Sequence, residues 1–458
     1  MQCSKQETIR WSEKHFQGVA LFNKKKVARL VKISTRLAEG KGTSLARLFD
    51  SWYDTKATYK LLNEKVMTLD TIQEPHRELA YESIEQWKGD VLAIEDSSEF
   101  EWNRKALIEG LGPVGSKRET DQGFVLHSTL AVGVPKRGSH LKVLGLPYQQ
   151  YYVRSAKIKK RRNRSHSNET LETDLWREVI NSKSLPAKNK VIRICDRAAD
   201  IYEVLKETRD YGCSHIIRLK HDRKVIEPTE MPIKTLMREL DSMGETVIEK
   251  RVKGDTKKRK IHLNVNWLKV SLRSPMRPRS QIGKLPSLEE TVVHVWGTNP
   301  LTEEVIEWFL YTDIKVDSLE DAIKVTQYYA LRWIIEDYHK ALKTGLKAEN
   351  LQFESASAIF AAITIMSVVA TRLIDFRERL RIDSEAPAGE SGLDELELRV
   401  LGKYLKRELK TVKCVALAIG RLGGHLNRKS DGMPGLLTLW CGMSRFLILV
   451  EGVRLAST

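Results

Sequence analysis

No Cys-x-x-Cys pair and no Cys/His set at zinc-binding spacing occurs in this chain, which removes structural zinc from the readings open to it. Its five cysteines, Cys3, Cys195, Cys213, Cys414 and Cys441, are odd in number and read as reduced thiols of a cytoplasmic protein. A Gly-x-x-x-x-Gly-Lys-Ser/Thr loop is missing too, so ATP hydrolysis has no visible apparatus. Residues Met1 to Glu7 form no apolar leader, and export is not expected. The longest uncharged stretch, Ser355 to Thr371, is short for a bilayer and rich in Ala, Ser and Thr, which predicts a buried core helix and no membrane partner. Acid is the scarcer charge: 60 Asp+Glu face 77 Lys+Arg, a formal +17. That balance favours a polyanion, with nucleic acid the first candidate.

The basic residues are spread along the chain, in Asn23 to Arg29, Lys157 to Arg164, Lys257 to Lys260 and Arg273 to Arg279. Such a spread suits a broad phosphate-binding surface, although any single run could equally be a solvated face. A chain of 458 residues has room for about two to four domains. The first seventy residues alternate short helical patterns with polar turns, as a small helical DNA-binding unit or a generic three-helix bundle would. From Asp90 onward apolar strands alternate with helices, the pattern of a mixed α/β sheet covered on both faces. Between Asp222 and Pro300 β-alternation takes over, as in an inserted sheet. One long helix is predicted from Ser318 through Lys343, stopping at Gly345, and the segments after Ala386 are helical.

That long helix carries the most informative spacing. Tyr329, Arg332, Glu336 and Lys343 fall within roughly 60° of arc on a regular helix, so an aromatic, two cations and one acid share a face. Phosphate handling needs this mixture: cations and a hydroxyl to grip an anion, and an acid to hold a metal. An ordinary solvated amphipathic helix reads the same way. Two further acids, Asp96 and Asp196, each follow an apolar strand run, where ligands of α/β sheets collect, though such residues commonly cap the next turn. Two bare carboxylates about 4 Å apart repel by roughly 4 kcal/mol at an effective dielectric of 20, a cost that a divalent cation removes. With Glu336 they make three hard oxygen donors, suited to magnesium or manganese. Glu336-x-x-His339 looks like half of a di-iron motif, but no second copy is evident.

Ala93-Ile94-Glu95-Asp96-Ser97-Ser98, Cys195-Asp196-Arg197-Ala198-Ala199-Asp200-Ile201 and Tyr329-x2-Arg332-x3-Glu336-x6-Lys343 together resemble the IS-four family of DDE transposases. The run from Arg332 to Gly345 is especially similar, Lys24 to Leu30 resembles the family's N-terminal basic helix, and Ala418 to Gly424 its C-terminal region. The resemblance implies a ribonuclease H-like mixed-sheet core at 71–375 with a β-insertion at about 222–305, between a helical DNA-binding domain at 1–70 and a helical dimerisation domain at 376–458. It implies two magnesium or manganese ions on Asp96, Asp196 and Glu336, and cut-and-paste transposition by a bacterial, nucleoid-associated homodimer that pairs element ends and joins them to target DNA. In that family an activated water nicks each end, the freed 3′-hydroxyl forms a hairpin on the opposite strand, and hydrolysis then releases the element. By position, Tyr329, Arg332 and Lys343 would hold phosphates, with Arg218 and Lys220 assisting. Trp308 would stack on an extruded base, although it could equally be core packing. Lys25, Lys26 and Arg29 would contact the ends. Lys25 and Lys26 stand where the family has arginines, which favours phosphate grip over reading of guanine, and Ala198 replaces an acid.

Two rival readings share the same residues. An inhibitory DNA-binding relative would keep the fold without needing all three acids, and a stand-alone nuclease would need neither the basic N-terminus nor the helical tail.

Overall fold

The computed structural model describes residues 5–40, 45–103, 106–115, 121–135, 141–155, 171–182, 185–186, 190–251, 258–275, 285–299, 302–380, 385–428 and 431–456. The basic run Lys157 to Arg164, parts of the runs at 257–260 and 273–279, and Cys3 lie outside them. In chain order the helices are α1 Lys5–Phe16, α2 Lys24–Ala38, α3 Trp52–Leu62, α4 Leu69–Gln86, α5 Leu175–Asn181, α6 Tyr202–Tyr211, α7 Ile233–Glu239, α8 Leu319–Ala330, α9 Trp333–Lys340, α10 Ala356–Arg379, α11 Glu395–Leu405, α12 Val412–Leu422 and α13 Leu436–Ala456. The strands are β1 Val91–Trp102, β2 Gly112–Pro113, β3 Gln122–Gly133, β4 Lys142–Tyr152, β5 Val191–Cys195, β6 Ser214–Arg218, β7 Val225–Glu227, β8 Gly244–Arg251, β9 Lys258–Leu272, β10 Leu288–Thr298 and β11 Val305–Thr312.

These elements form two compact units. A central unit comprises Gly89–Asp96 and Glu169–Ile335; a terminal unit comprises Met1–Lys88, Ser97–Asn168 and Glu336–Thr458. The central unit is a mixed sheet in the order β1, β5, β6, β11, β10, β9, β7, parallel across the first three strands and antiparallel from β6 onward, with β8 also on β9. Continuous burial of Val191–Cys195 identifies β5 as an inner parallel strand. Helix α6 ends where Gly212 takes φ 89, a left-handed turn that costs glycine nothing. Its core gathers Trp176, Leu205, Ile217, Met237, Leu272 and Tyr311. The expected β-insertion is present as β7 to β10, but α7 interrupts it: Ile233, Leu236 and Met237 recur at helical spacing and turn one apolar stripe inward.

In the terminal unit β3 is buried throughout and pairs with β4. Helix α10, the expected core helix, is buried over most of its length and packs on β4, α4 and α2. Helix α4, which the sequence pattern did not mark, begins at a Thr68 cap and ties to α1 through the His15–His76 ring contact at 2.9 Å. Helices α11, α12 and α13 share a core of Leu401, Val415, Ile419, Leu439 and Phe446. Among the helical segments expected after Ala386, α11 stops at Leu405, where Lys406 turns left-handed at φ 53. Helix α5 is preceded by a tight turn at Glu172–Asp174.

The single helix expected from Ser318 to Lys343 is also broken. A Ser318/Asp321 capping box starts α8, as the spacing of hydroxyl and acid requires. At its end the bonds tighten to three-residue spacing, Arg332 N–H to Tyr329 O at 3.0 Å and Ile334 N–H to Leu331 O at 3.0 Å. After α9 the spacing widens to a π turn over Ala341–Gly345, with Leu346 N–H to Ala341 O at 2.7 Å. Each change resets the angular phase. Tyr329, Arg332, Glu336 and Lys343 therefore do not lie on one uninterrupted helix.

Candidate active site

Strand register decides which side chains share a face. β1 and β5 pair in parallel up to Glu95 opposite Cys195, β5 and β6 up to Cys195 opposite Ile217, and β11 sets Tyr311 opposite Ile217 and Leu310 opposite Arg218. Side chains alternate, so Glu95, Cys195, Ile217 and Tyr311 lie on one face of the central sheet. The next residues, Asp96, Asp196 and Arg218, lie on the other, with Trp308 two positions along β11 from Leu310. Adjacent strands run about 4.8 Å apart, which sets the two aspartates side by side. One detail departs from expectation: β1 continues to Trp102, so Asp96 sits in mid-strand and only β5 ends at its acid.

Each acid has a defined surrounding. Asp196 Oδ1 accepts the Ala198 N–H at 2.8 Å and so caps the following turn. Its other oxygen makes no hydrogen bond among the described residues. Asp96 Oδ2 accepts from Arg332 Nη1 at 3.2 Å, both side chains mostly buried. Tyr329 is buried nearby. Burial raises its phenol pKa against the opposing pull of Arg332 and Arg218, so it remains a hydroxyl donor at neutral pH. Trp308 is half-buried with its ring edge-on to Tyr329, centroids 5.2 Å apart. Arg218 donates through Nη2 to Glu307 O at 3.0 Å. Lys220 is exposed, just beyond β6.

Sequence reasoning missed the groups that hold this loop and sheet in place. Buried Asp200 accepts the N–H groups of Lys220 and His221 and the Arg223 guanidinium, all at 2.7 Å. Asp200 stands in the same motif as Asp196, but its partners lie twenty or more residues on and only the fold joins them. Across the sheet, Arg193 and Glu95 form a fully buried bidentate pair at 2.6 and 2.7 Å, and Arg193 also donates to Thr208 Oγ1 and Trp176 O. Burial by itself would lower the arginine's pKa, but the Glu95 carboxylate holds it up.

In the terminal unit Glu336 and Lys343 are half-buried. Lys343 Nζ lies 3.5 Å from Glu349 and 5.1 Å from the Phe100 ring centre. Asp337 pairs with buried Arg377, and the Tyr338 hydroxyl accepts from Gln149 Nε2 at 2.9 Å, so the two residues that follow Glu336 are held in place. At the N-terminus, Asn23 caps α2 through Lys25 N–H, leaving the Lys25 side chain exposed. Lys26 pairs with Glu64 at 2.6 Å, while Arg29 pairs with Asp54 and lies over the Tyr53 ring.

The donors of the central face suit a hard cation. Both are carboxylate oxygens, and the Cys195 thiol is on the opposite face, its pKa pushed well up by burial and then by Glu95. Among the described residues no three His, Cys, Asp or Glu side chains are grouped closely enough to hold an ion. The central unit supplies two of the three expected acids; Glu336 belongs to the terminal unit.

Three family models match the chain in succession. They are described as Transposase DNA-binding over residues 9–66, Transposase DDE domain over 153–371, and Transposase Tn5 dimerisation domain over 398–458. The first takes in α2 with its basic residues, the second takes in Asp196 and Glu336, and the third takes in α12 and α13. With a DNA-binding, a catalytic and a dimerisation domain in that order, the chain belongs to the Tn5-like DDE transposases of the IS-four family, which are metal-dependent and act on DNA.

Proposed function

We propose that this transposase excises its element by nicking each end, closing the flanking break as a hairpin, reopening it and joining the freed 3′ ends to target DNA. Asp96, Asp196 and Glu336 would hold two magnesium or manganese ions, which supply Lewis acidity and a nucleophilic water when bound. The observation that carries this reading is the placement of Asp96 and Asp196 on one face of neighbouring parallel strands, with Arg332 beside them.

The chain's own residues have separate tasks. Arg332 and Arg218 stand where a scissile phosphate beside the two acids would meet them, and their fork geometry suits two phosphate oxygens. Tyr329 donates a hydroxyl that its buried surroundings keep protonated. The exposed part of Trp308 offers a flat face to a base leaving the stack during hairpin formation, and Tyr329 braces its other edge. Lys343 and exposed Lys220 add charge along the duplex. Lys25, Lys26 and Arg29 hold the element ends, and α13 pairs two copies into the synaptic complex.

Incubation with magnesium and a supercoiled donor carrying the native element ends tests the scheme. Double-strand excision through hairpin intermediates, abolished by Asp196→Ala, is expected. Random nicking would transfer the reading to a stand-alone nuclease, and end binding without cutting to an inhibitor.

A further inference from the structure

The dimerisation domain contains a groove of about 670 Å³ lined by Tyr404, Leu405, Lys406, Arg421, Leu422, Arg445, Ile448 and Leu449. Its cations differ from the ion-paired cations that hold the fold together. Lys26, Arg29, Arg77, Arg177, Arg193, Arg223 and Arg377 are all engaged by carboxylates. Lys406 and Arg421, with Lys403 and Arg407 alongside them in sequence, are exposed and make no ion pair among the described residues. Arg445 is exposed too, and its one hydrogen bond among them goes to a backbone carbonyl, Leu422 O at 2.6 Å. Tyr404 and Ile448 are each 56% exposed at the same place. Lys406 closes α11 as its left-handed cap, its backbone N–H turned back to the Gly402 and Lys403 carbonyls.

We infer that this groove binds the phosphate backbone of target DNA. Unpaired cations around a cleft suit a polyanion, and the exposed Tyr404 ring gives a sugar or an unstacked base a surface to lie on. The cations come from the end of α11, the end of α12 and the middle of α13, so no single element presents a row of side chains to base edges. Such a surface grips phosphate without reading sequence, as capture of arbitrary DNA requires; recognition of the element's own ends needs a reader.

The inference rests on the strand-transfer reading only for the identity of the duplex, and a direct binding measurement separates the two. Full-length protein with Lys406→Glu and Arg421→Glu is titrated against a fluorescent duplex of random sequence and against one carrying the element end, each at two salt concentrations. Affinity for the random duplex is expected to fall at least roughly tenfold, with a shallower salt slope from lost phosphate contacts. End binding, end cleavage and the dimeric mass are expected to persist while strand transfer drops. Unchanged random-duplex affinity would overturn the inference, as would equal loss on both duplexes. A shift to monomers in light scattering would instead assign the groove to the second copy. Loss of strand transfer in the parent protein as well, with the binding difference intact, would fault the strand-transfer reading and leave the groove assignment standing.

Discussion

The two faces of strands β1, β5 and β6 are made from alternating residues of the same three segments, yet their charges are treated in opposite ways. On one face Glu95, Arg193 and His215 are fully buried, and the arginine is bonded to a carboxylate, a hydroxyl and a carbonyl. On the other, Asp96 and Asp196 remain partly exposed, and one oxygen of Asp196 keeps no protein partner among the described residues. The bidentate pairing of Arg193 with Glu95 makes the first face a rigid scaffold, since a buried charge is tolerable only when paired. Incomplete satisfaction on the second leaves carboxylate valence for a ligand.

The comparison breaks most visibly at Asp196. Asp196→Asn preserves the acceptor that caps Ala198 but removes the charge, so end cleavage should vanish while stability changes by less than about 0.5 kcal/mol. Cleavage assays and urea unfolding on the same preparation decide it. An Asn variant that unfolds would mean the acid is structural. The scaffold face should respond in reverse. Glu95→Ala strands a buried guanidinium and should cost about 3–5 kcal/mol, whereas Glu95→Leu with Arg193→Met should recover most of that loss. A single substitution costing under about 1 kcal/mol would show that the face is not held by its ion pair.

The sequence disclosed the working face better than the scaffold. Asp96 and Asp196 were legible because each stands just beyond an apolar run, whereas Arg218 was pointed to only by the family resemblance; period-two alternation carries all three to one side once the strands pair. Arg193 read as one polar interruption in Val191 to Cys195, and nothing local names a partner 98 residues earlier. The β-insertion was visible in its alternation, while α7 within it was too short for a helical period to stand out. The expected continuous helix failed for another reason. Propensity from Leu319 to Lys343 is helical throughout, and the three-residue bonds after Tyr329 and the π turn after Lys340 leave no compositional mark.

A smaller effect is expected at Arg332, which touches Asp96 without being buried in the scaffold. Arg332→Ala should slow hairpin formation by roughly tenfold, about 1.4 kcal/mol, and affect the first nick less. Gel analysis of the two intermediates over time measures both steps, and equal slowing would remove its assignment to the hairpin phosphate.

The smallest effect concerns pH, and on the central sheet it belongs to the scaffold face. His215 is buried with Glu290 at 3.0 Å on one ring nitrogen and Asp313 at 3.5 Å on the other, and Arg209 stands 3.5 Å from Glu290. Burial by itself lowers the imidazole pKa, but Glu290 and then Asp313 outweigh it, and the net direction is upward. A folded-state value above the unfolded one stabilises fully below about pH 6.5 and loses that contribution as pH rises through the higher folded value. The terminal unit's His76 and His339, both lowered to about 3 by burial, act on the other side: they withdraw stability as pH falls below about 6.5. The two slopes therefore separate in a urea-midpoint profile. His215→Gln should flatten only the alkaline limb, while Asp196→Asn should leave both limbs in place. An alkaline limb that survives His215→Gln would show that this face is not held by a charged histidine between its two acids.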